Sequence, residues 1–123
     1  MGEKDAAAVR AVLERYCDAT YQADVEGLRS TFHPEALMAG YLGDELIVGS
    51  PESFFADIGS HPSMATTGVP YKADIADVHV AGRVASARVE ESGFFGQASF
   101  VNYFQLLKAG DDWTIVSKTF QTV

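Results

Sequence analysis

Residues 98–122 read Ala-Ser-Phe-Val-Asn-Tyr-Phe-Gln-Leu-Leu-Lys-Ala-Gly-Asp-Asp-Trp-Thr-Ile-Val-Ser-Lys-Thr-Phe-Gln-Thr. Two runs rich in aromatic and β-branched residues flank Gly110-Asp111, so the pattern predicts two long strands, about Ala98 to Lys108 and Trp113 to Thr122, joined in a hairpin. Upstream, Tyr71 to Val80 and Val84 to Ser92 repeat this arrangement around Ala81-Gly82, and Gly93 to Gly96 is a more flexible link. The C-terminal half therefore reads as a four-stranded antiparallel meander.

The N-terminal half changes period. From Asp5 to about Ala23, Val9, Val12, Leu13, Tyr16 and Thr20 recur three and four residues apart, which places them on one inward face of an amphipathic helix. Asp24 can cap a second helix, Val25 to Phe32, and Pro34 prevents its continuation. Glu35 to Leu42 reads as a strand, Gly43-Asp44 as a turn and Leu46 to Val48 as a short return. Ser50-Pro51-Glu52 starts a third helix running to about Ile58. Gly59 to Pro70, rich in Ser, Thr, Gly and Pro, is expected to be a loop. Helices followed by a meander define an α+β fold in which three helices cover a strongly bent antiparallel sheet and enclose a cone-shaped cavity.

The whole chain, 1–123, is one domain by size, and 47% hydrophobic against 21% charged residues places it among compact chains. A net charge of −8 repels phosphate backbones and anionic membrane surfaces, so neither nucleic acid nor membrane is an expected partner. Cys17 stands alone, which excludes an internal disulfide and fits a reducing compartment, the cytoplasm by default. No window is long and apolar enough to cross a bilayer. Phosphate-cradling loops, dinucleotide fingerprints and Gly-x-Ser-x-Gly elbows are missing, and the three histidines lack metal-ligand spacing. Neither a cofactor nor a metal is expected.

Arg15-Tyr16-Cys17, Ala23-Asp24-Val25-Glu26-Gly27-Leu28 and Phe32-His33-Pro34-Glu35-Ala36 together resemble the opening of the nuclear transport factor 2-like (SnoaL-like, ketosteroid-isomerase-like) superfamily. Tyr103 to Lys108, the glycine turn and Trp113 to Phe120 look like its branch named for lumazine binding. The resemblance implies a cystatin-like cone of helices on a bent sheet, and a homodimer. It also implies site positions when the ketosteroid isomerases' residues are carried over singly. Their helix tyrosine falls on Tyr16. Their late-strand acid falls on Asn102, before Tyr103-Phe104. Their base falls on Gly40, which has no side chain to take a proton.

Tyr16 and Asn102 are thus candidate ligand-binding donors converging on one ligand oxygen. Each also has a structural reading: Tyr16 as a large core residue, Asn102 as part of a buried polar network beside Phe100 and Phe104. A catalytic role would need a base, for which Glu90 qualifies if its strand face lines the cavity, and His33 by its ordinary titration range. His33 at the helix corner is also explained by local hydrogen bonding, and Glu90 by pairing with Arg88 on a solvated face. Lys118, opposite in facing to Trp113 and Ile115 by strict alternation, is expected outside, where it could pair with an acid across a subunit interface. The leading expectation is a protein holding a small apolar or aromatic ligand. The alternatives are an isomerase or cyclase with acid-base chemistry, and a noncatalytic dimeric interaction module whose cavity is filled by side chains.

Overall fold

The structure, a computed structural model, describes residues 2–123. In α1 (Gly2–Gln22) the expected stripe is buried: Val9, Leu13 and Tyr16 expose nothing, and Val12 and Thr20 almost nothing. Burying each large apolar member contributes roughly 1.5–3 kcal/mol, which fixes the helix on the sheet. Asp24 caps α2 (Val25–Ser30), its Oδ1 accepting the Gly27 N–H at 3.0 Å. This helix ends before the expected Phe32, because the Thr31 N–H and hydroxyl both turn back to the Leu28 carbonyl.

Phe32 instead opens β1 (Phe32–Leu42), so Pro34 lies inside a strand. The proline is tolerated because β1 pairs at Phe32 and then not until Leu37, leaving a gap in the ladder where a missing N–H costs nothing. β2 (Glu45–Gly49) returns antiparallel through a turn at Gly43, whose φ of +62° favours glycine. α3 (Glu52–Gly59) starts at Pro51 as its cap, and Ser50 Oγ accepts the Glu52 N–H at 3.3 Å.

The stretch expected to be a loop contains a further helical turn, α4 (Met64–Thr67), so the helices number four among the described residues rather than three. Its signals are local: Ser63 Oγ accepts the Thr66 N–H, and Gly68 at φ +72° ends it. β3 (Lys72–Ala81), β4 (Val84–Phe94), β5 (Ala98–Ala109) and β6 (Asp112–Thr122) form the expected antiparallel meander. The sheet does not stop at four strands. Its order is β2-β1-β6-β5-β4-β3, and β1 joins β6 in parallel, the one departure from an all-antiparallel sheet. The α+β cone stands: N-terminal helices on one face of a bent, unclosed sheet.

Two bulges set which side chains face the helices. Between Ala76 and His79 of β3, Asp77 takes φ +54°, and the inward set passes from Ala73 and Ile75 to Val78 and Val80. On β6 the ladder runs Leu106↔Ile115 and then Gln105↔Ser117, so Val116 is the extra residue. Trp113 and Ile115 face inward before it, Lys118 and Phe120 after it.

Gly40 lies against Phe120 so closely that a Cβ there would meet the Phe120 carbonyl oxygen at 2.1 Å and its ring at 2.7 Å. An added methyl must push β1 off β6. Gly40→Ala is therefore expected to lower the free energy of unfolding by about 1–3 kcal/mol in urea denaturation.

Candidate functional site

The ladder places inward side chains in rows across the concave face. Met38, Lys118, Phe104 and Ala87 are successive neighbours in one row, and Gly40, Phe120, Asn102 and Val89 in the next. Phe100 and Glu91 begin a third. Where these rows run out from under α1, a pocket of about 260 Å³ remains between them and α3. Phe54, Phe94, Phe100 and Phe120 supply its aromatic walls, Glu91, Asn102 and Lys118 its polar groups, and exposed Leu42, Ser53 and Asp57 its rim.

Glu91 is 3% exposed and accepts two hydrogen bonds, from the Tyr71 hydroxyl at 2.5 Å and from Asn102 Nδ2 at 2.7 Å. Asn102 Nδ2 also donates to the Val89 carbonyl at 3.1 Å. Both amide protons are thus committed, while Oδ1 is buried without a partner. Reversing the amide would set Oδ1 against two acceptor oxygens, so the network fixes its orientation. The atom of Asn102 left without a partner is consequently an acceptor, where the sequence reading assigned it a donor.

The pocket's donor is Lys118. Its side chain is 6% exposed, and its Nζ lies 3.8 Å from the Phe54 ring centre, 5.4 Å from that of Tyr16 and 5.5 Å from that of Phe120. Among the described residues no carboxylate lies within ion-pairing distance of it; the aromatic faces hold the cation instead. Burial pulls its ammonium down to about 8, against the partial support of the Glu91 carboxylate.

Tyr16 sits with its ring centre 4.9 Å from that of Phe104 and 6.1 Å from that of Phe32, fully buried, and it is not part of the pocket wall. Its hydroxyl has no partner, and burial with the nearby Glu91 charge raises its pKa well above the ordinary value, so it remains a neutral donor. Asn102 therefore shares the pocket with Glu91 and Lys118, not with Tyr16.

Glu90 points away from the pocket. It is exposed on the opposite face of β4 and accepts from Arg88 Nε at 3.0 Å, while Arg88 also pairs with Asp77. The inward carboxylate is its neighbour Glu91. His33 is outside the pocket too, its Nδ1 accepting the Glu35 N–H at 3.0 Å, which is the local role open to it at the corner. Burial pushes the Cys17 thiol up to about 12, which leaves it unreactive. Where the family resemblance would set a base, at Gly40, the Phe120 ring fills the space. Among the described residues no cluster of His, Cys, Asp and Glu side chains could hold a metal.

Strict alternation puts Lys118 outside, and the extra residue Val116 brings it in. The available signal was the break in parity: Trp113 and Ile115 are apolar at odd positions and Phe120 at an even one.

A buried ammonium without a carboxylate costs stability that pH can relieve. Its folded pKa, about 8, lies below the ordinary 10.5, so at neutral pH both folded and unfolded chains carry the proton and the full cost is present. As pH rises from 8 towards 10.5 the unfolded chain binds more protons than the folded one, and the cost fades. Lys118→Met should raise unfolding free energy at pH 7 by on the order of 1–3 kcal/mol, and this advantage should shrink as pH rises from 8 to 10. Denaturant titrations of both proteins across that range check it.

Comparison with known proteins agrees with this architecture. The family model described as "Putative lumazine-binding" matches residues 4–121. A protein of unknown function from Shewanella baltica, described as NTF2-like, is 31% identical over 100% of this chain and 97% of its own, with a TM-score of 0.87. NTF2-like proteins of unknown function from Methylobacillus flagellatus and Silicibacter pomeroyi are 28% and 25% identical. The first covers 100% of this chain and 95% of its own at a TM-score of 0.88, and the second 98% of each at 0.85. A search of curated proteins finds no match. With a family model spanning nearly its whole length and a solved relative above 30% identity, the chain belongs to the family described as "Putative lumazine-binding", on the nuclear transport factor 2-like fold.

Proposed function

We propose that the protein binds a small aromatic molecule carrying an anionic or carbonyl oxygen, with its ring between Phe54, Phe94, Phe100 and Phe120 and its oxygen on Lys118 Nζ. One observation carries this reading: an ammonium buried at the wall of an aromatic pocket with no carboxylate among the described residues to pair it. A ligand oxygen would supply the missing partner, and a charge-assisted hydrogen bond in such surroundings is stronger than one in water. Asn102 Oδ1, equally unpartnered, would accept an N–H or O–H of the same ligand. A pocket of about 260 Å³ suits one or two fused rings, since a cavity of roughly 150 Å³ already takes benzene. The family's printed description names lumazine, a flat bicyclic molecule with ring carbonyl oxygens and N–H groups, which combines these features.

Binding is favoured over acid-base catalysis because Phe120 occupies the position of the missing base and Glu91 already accepts from Tyr71 and Asn102. The open pocket also argues against a module whose cavity is plugged by side chains. Native mass spectrometry of freshly purified wild type should show a retained small molecule, or, after its removal, one benzoate bound per chain. Lys118→Met, which keeps the packing, should lose at least about tenfold in benzoate affinity. Equal affinity in both proteins would end this reading.

The outer face of the sheet supports the homodimer. Leu37, Tyr41, Leu46, Val48 and Tyr103 share it, and Val48 is 70% exposed. An apolar patch on a wide sheet face is what an isologous partner covers. The free thiol of Cys17 suits a reducing compartment, and we assign the protein to the cytoplasm on that ground. Light scattering should give twice the 13.2 kDa chain mass for wild type, and Tyr103→Glu, which sets a charge in the patch, should shift it to the monomer.

A further inference from the structure

We infer that Lys118 is a nucleophilic amine that condenses with a small aromatic aldehyde in the pocket to form an imine. This rests on the ligand pocket proposed above and adds a covalent step to it.

The geometry supplies what imine formation needs. The amine must be reachable, and Lys118 Nζ lies at the wall of a pocket whose rim, Leu42, Ser53 and Asp57, is exposed. It must not be tied to a carboxylate, and none of the described carboxylates pairs with it. Glu91, the buried carboxylate of the same pocket, is already engaged by Tyr71 and Asn102. The aldehyde's ring must be held against the amine, and Phe54 and Phe120 flank the ammonium at 3.8 and 5.5 Å. Burial supports the same end by favouring the neutral amine, with the Glu91 carboxylate on β4 opposing it and the Cys17 and Tyr16 side chains of α1 protonated nearby.

The step balances without an oxidant or reductant. The lone pair of neutral Nζ attacks the carbonyl carbon, and the carbonyl π pair moves onto oxygen. One proton passes from nitrogen to that oxygen through water at the open rim, giving a carbinolamine. The carbon–oxygen bond then breaks, the second nitrogen proton leaves with the hydroxyl as water, and the carbon–nitrogen double bond forms.

The chain has four lysines, which makes the test selective: Lys4 and Lys72 are exposed, and Lys108 pairs with Asp5 at 3.2 Å. Wild type is incubated with benzaldehyde at pH 8 and reduced with cyanoborohydride, and the benzyl group is located by peptide mapping. Lys118 should label at least about tenfold faster than Lys72, the excess expected of an amine that burial leaves partly neutral at pH 8 beside a ring site. Label at Lys72 and Lys4 with none in excess at Lys118 overturns the inference. Lys118→Arg removes the nucleophile and should lose the fast label, and benzoate binding is read on the wild type that was labelled. Benzoate cannot form an imine, so it separates the two claims. Benzoate binding without fast labelling ends the covalent step and leaves the pocket reading, while failure of both ends both.

Discussion

The extra residue in β6, Val116, determines what kind of pocket this sheet can hold. Without the bulge, a strand that buries Trp113 and Ile115 would turn Lys118 and Phe120 to the outside. With it, both halves of β6 face the helices, and the second half delivers a cation and a ring to the concave side. Phe120 then takes the space beside β1, and Gly40 is the residue that allows it, because any side chain there would strike the Phe120 carbonyl. The glycine and the bulge are two parts of one arrangement.

The charges inside that arrangement are kept apart. Glu91 is served by hydrogen-bond donors from β5 and from Tyr71 just before β3, whereas Lys118 is served by aromatic faces from α1, α3 and β6. An internal ion pair would have cancelled both charges and left an inert core. Separate satisfaction leaves the ammonium poised at lower cost than bare burial, since ring faces contribute about 1–2 kcal/mol to a desolvated cation. It also explains why Asn102 is held so firmly. With both amide protons engaged, its carbonyl oxygen is aimed by the backbone of β4 and by Glu91 together.

Most of the architecture was legible because it rests on period and punctuation. The α1 stripe, the Asp24 cap, the Gly43 and Gly110 turns and the meander strands all follow from spacing and turn chemistry. What escaped depends on contacts between distant segments. The parallel pairing of β1 with β6 joins strands from opposite ends of the chain, and no local pattern encodes it. A one-turn helix at α4 is too short to carry a period, although Ser63 and Gly68 marked its ends. In the site, Asn102 was reached through the family resemblance, with its facing given by alternation with Phe100 and Phe104, but its free atom depends on a network with Glu91 that only folding assembles. Glu90 and Glu91 were separable by alternation, yet which of the two faced inward depended on how the strand lay under the helices. Tyr16 was read correctly as a stripe residue, and the stripe itself keeps its hydroxyl away from the pocket wall.

Alternation also ties the two faces of the sheet together. Neighbouring residues serve opposite sides: Asn102 inside and Tyr103 outside, Glu91 inside and Glu90 outside, Lys118 inside and Thr119 outside. Any contact that fixes Tyr103 and Thr119 on the outer face fixes the same backbone that aims Asn102 and Lys118 on the inner one. The proposed dimer face and the proposed pocket therefore draw on the same two strands, β5 and β6, from opposite sides.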